Sequence, residues 1–144
     1  MIAVDTNLLV YAHREDSPHH EPALRVLTDL IAGPRQVGIP WPCLHEFLAV
    51  TTHPRIYDPP TRMSTALAAV TSLADVPAVH LLAEGPDHLQ VLTRLLASER
   101  VTGPRIHDAR VAAICLSAGV EALWSADRDF SWFPQLTVVN PLAT

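Results

Sequence analysis

Five short apolar runs alternate along this chain with longer segments whose apolar residues recur at helical spacing. That alternation leaves few folds open. The runs cover residues 1–4, 37–39, 79–82, 122–125 and 136–139, each too short for a helix and apolar enough to be covered on both faces. Between them, the segment 18–32 carries Ala23, Val26, Leu27, Leu30 and Ile31 on one helical stripe. A helix opening at Pro42 carries Leu44, Phe47 and Leu48, and one over about 61–74 carries Met63, Ala66, Leu67, Val70 and Leu73. A further helix follows Gly85-Pro86 with Leu89, Leu92, Leu95 and Leu96. The last opens at Gly103-Pro104 and ends where Gly119 fits a helix C-terminal glycine. Ser17-Pro18 reads as a helix start, while Gly33-Pro34 and His53-Pro54 read as stops. Asp5-Thr6-Asn7 reads as a polar turn, and residues 54–60 as a loop. Helices alternating with short buried strands predict an α/β fold of three layers: a central parallel sheet of about five strands flanked by helices. No linker or repeat divides residues 1–144, so one domain is expected.

Carboxylates stand at the positions such a sheet brings together. Asp5 closes the run Met1-Ile2-Ala3-Val4, and Asp127 closes Ala122-Leu123-Trp124-Ser125-Ala126. Groups at the carboxyl ends of parallel strands and the starts of the following helices meet at one crevice. Glu46 and Asp108 each lie four residues after a proline, in Pro42-Cys43-Leu44-His45-Glu46 and Pro104-Arg105-Ile106-His107-Asp108. Both therefore fall about one turn into a helix. Each acid taken alone has a plainer role, as a turn former, a cap or a partner of the helix dipole. Asp108, however, precedes Ala109, Val111, Ala112, Ala113, Ile114 and Cys115 on a helix apolar nearly all round, where a carboxylate needs a partner. Converging carboxylates repel unless a cation neutralises them. A hard divalent metal, and with it hydrolysis of a phosphate ester, satisfies that demand.

Composition narrows the class further. Of the 144 residues 49% are apolar, which excludes disorder, and no run approaches the roughly 20 apolar residues of a membrane span. Cys43 and Cys115 are the only cysteines and lack metal-ligand spacing, so a reducing cytoplasm is the expected compartment. The net charge of −5 argues against a broad basic surface, but an acidic metal site would account for part of it. All ten basic residues are arginine. The missing lysine weighs against a haloacid-dehalogenase-like phosphatase, which also wants an aspartate where Asn7 stands. It weighs equally against a receiver-like phosphate-accepting module.

The run Ile2-Ala3-Val4-Asp5-Thr6-Asn7-Leu8-Leu9-Val10-Tyr11-Ala12 resembles the opening of PIN-domain ribonucleases, particularly the VapC toxins of toxin–antitoxin pairs. Their later acidic positions match Glu46, the helix His107-Asp108-Ala109-Arg110-Val111-Ala112-Ala113, and Ser125-Ala126-Asp127-Arg128-Asp129-Phe130. The resemblance spans residues 1 to about 140. It implies a PIN-like five-stranded parallel sheet and a Mg2+- or Mn2+-dependent endoribonuclease. It also implies a homodimer and an inhibitory VapB-type antitoxin, with transfer RNA as the favoured substrate. A PIN-like module that binds RNA or protein without catalysis is the alternative, against which the four retained acids speak.

On this reading Asp5, Glu46, Asp108 and Asp127 form the catalytic metal shell, holding one ion or two. Asp129 is a fifth acid, outer-shell or capping, and Thr6, Asn7 and Ser125 are outer-shell candidates that serve equally well in turns. Arg14, Arg110 and Arg128 are candidates for RNA phosphates, against the plainer role of surface ion pairs. His45 and His107 adjoin two of the acids but point about 100° away on a helix. Trp41 and Trp132 are candidate base-stacking residues, whereas Trp124, within a strand, is expected in the core. His19 and His20 are expected to be solvated, and the Met63–Leu73 stripe to face the core first and a dimer second.

Overall fold

A computed structural model describes residues 1–143. Five strands, β1 (Ile2–Val4), β2 (Val37–Pro40), β3 (Val79–Leu82), β4 (Ala122–Trp124) and β5 (Val138–Val139), form one sheet in the order β3-β2-β1-β4-β5. Every pairing is parallel. β1 lies at the centre, and its Ile2, Ala3 and Val4 are all buried, as an apolar strand covered on both faces requires. β2 is buried along its whole length, while on the edge strand β3 only Val79 is. Gly38 permits the close packing of β2: a Cβ there would meet Leu82 Cδ1 at 2.7 Å and Met1 Sδ at 2.8 Å.

The helices are α1 (Thr6–His13), α2 (His20–Ala32), α3 (Trp41–Thr51), α4 (Met63–Ala74), α5 (His88–Leu96) and α6 (Ile106–Ala118). α1 packs against α2 and α3, and α5 against α6. Short 3-10 turns precede α6 (Gly103–Arg105) and follow β4 (Arg128–Trp132). Among the described residues no helix is long and apolar enough to cross a membrane.

Several boundaries differ from the sequence reading. The expected turn at Asp5-Thr6-Asn7 is the start of α1, which follows Asp5 directly. Local propensity at Thr6 and Asn7 favours a turn, but burying Leu8, Leu9 and Val10 decides for helix. Ser17-Pro18 does not begin α2: the Ser17 hydroxyl accepts the His19 N–H in a separate turn, and α2 starts at His20. His20 is not merely solvated, since its Nδ1 lies 2.9 Å from the Tyr11 carbonyl. Pro42 is the second residue of α3, and β2 enters that helix with no loop. α4 and α5 start at Met63 and His88, later than expected, and β5 comprises two residues rather than four. Met63 and Leu67 are about half exposed and Leu89 is 75% exposed, so those stripes are only partly core. Trp124 is half-buried rather than fully enclosed.

Gly119 ends α6 in the left-handed region (φ 68°, ψ 32°), its N–H reaching the carbonyls of Cys115 and Leu116. That termination aims the chain into β4 and sets the register Val4–Trp124. Gly119→Ala should cost about 1 kcal/mol, the ordinary penalty for a Cβ in this region, and Gly119→Asn less. Chemical denaturation checks both: the midpoint should fall with an unchanged slope.

Candidate metal centre

Asp5 is set by the geometry of β1. Its N–H donates to the Trp124 carbonyl at 3.0 Å, continuing the β1–β4 ladder by one residue. The side chain is thereby delivered below the surface, with 5% of the residue exposed. Although Asp5 stands at the helix N-cap position, its carboxylate makes no capping bond. One oxygen accepts the Ser125 hydroxyl at 2.7 Å, and the other lies 3.4 Å from the Cys43 thiol. Burial, and then the negative charge of Asp5, which disfavours a thiolate beside it, hold Cys43 well above its ordinary range, so at neutral pH it is a protonated donor.

A small polar lattice holds the other groups. The Thr6 hydroxyl lies 3.1 Å from a Glu46 carboxylate oxygen and 3.4 Å from the Cys43 carbonyl. Ser125 Oγ accepts the Asp127 N–H at 2.9 Å, and the Asn7 amide nitrogen lies 3.4 Å from the same oxygen. Asn7 Oδ1 accepts the Ala126 N–H at 3.2 Å. The turn after β4 is thus tied to the start of α1. Asp127 also caps the following 3-10 turn, Oδ1 accepting the Asp129 N–H at 2.9 Å, so its capping role coexists with its place in the site.

These groups open into one cleft of about 760 Å3 beyond the carboxyl ends of the strands. Asp5, Glu46, Asp108, Asp127 and Asp129 all line it, together with Thr6, Asn7, His45 and His107. Asp108 sits in the first turn of α6, and Glu46 is the sixth residue of α3, somewhat deeper than one turn. Burial raises the Asp5 carboxyl above its ordinary value, with Glu46 nearby adding to the effect. Asp108 rises from 3.8 to about 6, through burial first and then through Asp127, Asp129, Asp5 and Glu46.

The structure brings together all four expected shell acids, but it divides the expected arginines. Arg110 lines the cleft and pairs with Glu84. Arg14 lies outside it, bidentate to Asp16 (2.9 and 2.6 Å) and stacked over Tyr57. Arg128 lines a separate depression with Phe133 and Pro134. Sequence reading passed over two groups: Arg105, which lines the cleft, and Cys43. Cys43 was legible in principle, since it lies three residues before Glu46 and so on the same helical face.

The PIN-domain family profile matches residues 2–135. The chain belongs to the PIN-domain family. Ribonuclease VapC43 of Mycobacterium tuberculosis is 36% identical over 143 residues, spanning 99% of this chain and 96% of that protein. The crystal structure of Mycobacterium tuberculosis VapC20, described as a sarcin–ricin-loop-cleaving toxin, aligns with a TM-score of 0.68 at 18% identity. It covers 91% of this chain and 93% of that one. VapBC-1 from nontypeable Haemophilus influenzae gives a TM-score of 0.70 at 14% identity, covering 99% and 100%. At such identities the two structures bear on the fold alone.

The residues of this PIN domain fit a hard divalent cation. All five acids offer oxygen donors, and among the described residues none of the five is ion-paired with a cationic side chain. A buried carboxylate without a counter-charge is costly, and a cation in the cleft supplies one. Among the described residues no three acidic, histidine or cysteine side chains converge closely enough to hold a metal ion between them. An ion that retains several waters and takes only one or two carboxylates suits such an open arrangement.

Asp108 contributes to the pH dependence of the metal-free protein, with Asp5, also raised, adding the same sign. At Asp108 the folded state keeps a proton that the unfolded chain releases near 3.8, so this group's contribution to stability falls as pH rises from there through about 6. Asp108→Asn should flatten this slope and raise metal-free stability at pH 7. Mg2+ or Mn2+ at about a hundred times its dissociation constant should restore roughly 2.7 kcal/mol to the wild type. Thermal melts in EDTA and in metal check both. Equal metal gains in the two proteins would remove Asp108 from the site.

Proposed function

We propose that this protein is a VapC-type toxin, an endoribonuclease that uses Mg2+ or Mn2+ to hydrolyse RNA phosphodiester bonds, with residues 1–144 acting as one domain. The observation that carries the reading is the cleft itself: five carboxylates that make no ion pair among the described residues, one of them buried at the end of the central strand. Asp5, Glu46, Asp108 and Asp127 would hold the metal, one ion or two, partly by direct contact and partly through waters the ion retains, with Asp129 beside them. The metal supplies a water of lowered pKa and charge stabilisation at the phosphate.

The chain's own residues position and hold. Ser125 and Cys43 fix both oxygens of Asp5, and Thr6 orients Glu46. Asn7 and Ser125 keep the Asp127 turn in register with them. Asp108, raised to about 6 by burial and by its acidic neighbours, is a group whose charged form a bound cation would favour.

The family resemblance favours transfer RNA, while the VapC20 neighbour is named for cutting the sarcin–ricin loop. A VapB-type antitoxin is the expected partner, because solved neighbours such as VapBC-1 are toxin–antitoxin complexes. The protein is expected to act as a homodimer in the cytoplasm.

Asp5→Asn should lower metal-dependent RNA cleavage by roughly a hundredfold or more and leave the far-ultraviolet circular dichroism unchanged. EDTA should stop the wild type, and added Mn2+ or Mg2+ should restore it. Wild-type cleavage that persists in EDTA would end the metal mechanism.

The antitoxin should answer the acidic cleft with a basic side chain, arginine being best suited to carboxylates. Asp108→Asn in the toxin should therefore weaken the complex by about tenfold, measured by calorimetry. An affinity insensitive to every cleft acid would place the contact elsewhere.

A further inference from the structure

Of the two arginines that line the cleft, Arg105 is the one without an ion pair among the described residues. It ends the 3-10 turn that runs into α6, three residues before Asp108. Among the described residues it makes no ion pair, although five carboxylates line the same cleft. Its guanidinium instead lies over the indole of Trp132, 4.3 Å from the ring centre. Trp132 closes the 3-10 turn that follows Asp127, and it is 38% exposed. The stack therefore joins the two segments that carry Asp108 and Asp127.

A guanidinium stacked by its face keeps its edge, with five N–H donors, free for another group. The planar fork matches phosphate oxygens, and holding it in advance lowers the entropy lost when it binds. Contact with the indole also keeps the cation from collapsing onto the acids, as an unrestrained side chain would. The other cleft arginine, Arg110, is already paired with Glu84. RNA entering an acidic cleft must find positive charge beyond the metal, and Arg105 is the group placed to provide it.

We propose that Arg105, held by stacking on Trp132, binds a backbone phosphate of the RNA beside the metal centre, with Trp132 as its positioning residue. The assignment rests on the ribonuclease reading above. It makes Arg105 a substrate-binding group, outside the chemical step.

The test is steady-state cleavage of a mixed-sequence oligoribonucleotide in Mn2+ at several salt concentrations. The proteins compared are wild type, Arg105→Ala, Arg105→Lys, Trp132→Leu and, as control, Arg94→Ala on the exposed face of α5. Arg105→Ala should raise KM about tenfold with kcat little changed, as expected for a lost charge-assisted contact. The slope of log kcat/KM against log salt should shrink by about 0.7, the value for one phosphate on a single strand. Arg105→Lys and Trp132→Leu should keep the wild-type slope, because the charge remains, yet raise KM severalfold. Arg94→Ala should match the wild type. A wild type that cleaves while Arg105→Ala shares its KM and salt slope overturns this assignment alone. A wild type that cleaves no RNA overturns the ribonuclease reading and this assignment with it. If Arg105→Ala weakens only association with an antitoxin protein, the stack belongs to a protein interface and the proposal fails.

Discussion

A carboxylate buried at the end of the central strand is the constraint on which the rest of the structure depends. Asp5 leaves β1 with its backbone still in the ladder to β4, so its side chain cannot swing out to water. An apolar surrounding would force it to stay neutral. What surrounds it instead is a minimal polar shell, a hydroxyl on one oxygen and a thiol beside the other. That shell satisfies hydrogen bonding without supplying positive charge. The same two groups organise their neighbours: Ser125 takes the Asp127 N–H, and the Cys43 carbonyl shares the Thr6 hydroxyl with Glu46. Three of the four principal acids are thereby referred to one buried point.

Much of this was legible in the sequence because the strands are apolar through and through. Uninterrupted runs such as Ile2-Ala3-Val4 and Ala122-Leu123-Trp124 can only be central strands, and a polar residue that ends one must lie at the sheet's rim. Asp5 and Asp127 follow from that rule. The prolines before Glu46 and Asp108 mark helix starts, and both helices do begin there to within two residues. What the sequence hid was decided by tertiary contact. α1 looked like a turn because Thr6 and Asn7 are poor helix formers, and only the burial of Leu8, Leu9 and Val10 reverses the preference. The arginines were illegible for a related reason. Arg14, Arg110 and Arg105 have the same chemistry, and which one is free depends on partners as remote as Glu84, 26 residues from Arg110.

One side chain, Asp127, both caps a local turn and lines the wider cleft. Asp127 caps a 3-10 turn, and the same turn carries Asp129 to the cleft and Trp132 against Arg105. Capping and metal binding looked like competing explanations when each aspartate was weighed alone. In the folded chain the cap is the means by which a second acid and an aromatic platform are placed. Cys43 is similar: a core thiol by burial, and by contact the underside of Asp5.

The strand order has a consequence for synthesis. β4 is the inner neighbour of β1, but it is made about 120 residues later, as the separation of Ser125 and Asp5 shows. A nascent chain therefore exposes one flank of β1, and an unsealed Asp5, until β4 has left the ribosome. Ser125 and Asp127 arrive on that same late segment, so the acid cluster does not exist on any shorter intermediate. Chains emerge at roughly 5–20 residues per second, which makes this interval about 6 to 24 seconds long. The strand order thus makes assembly of the acid cluster a late event in folding, one that waits for the β1–β4 pairing.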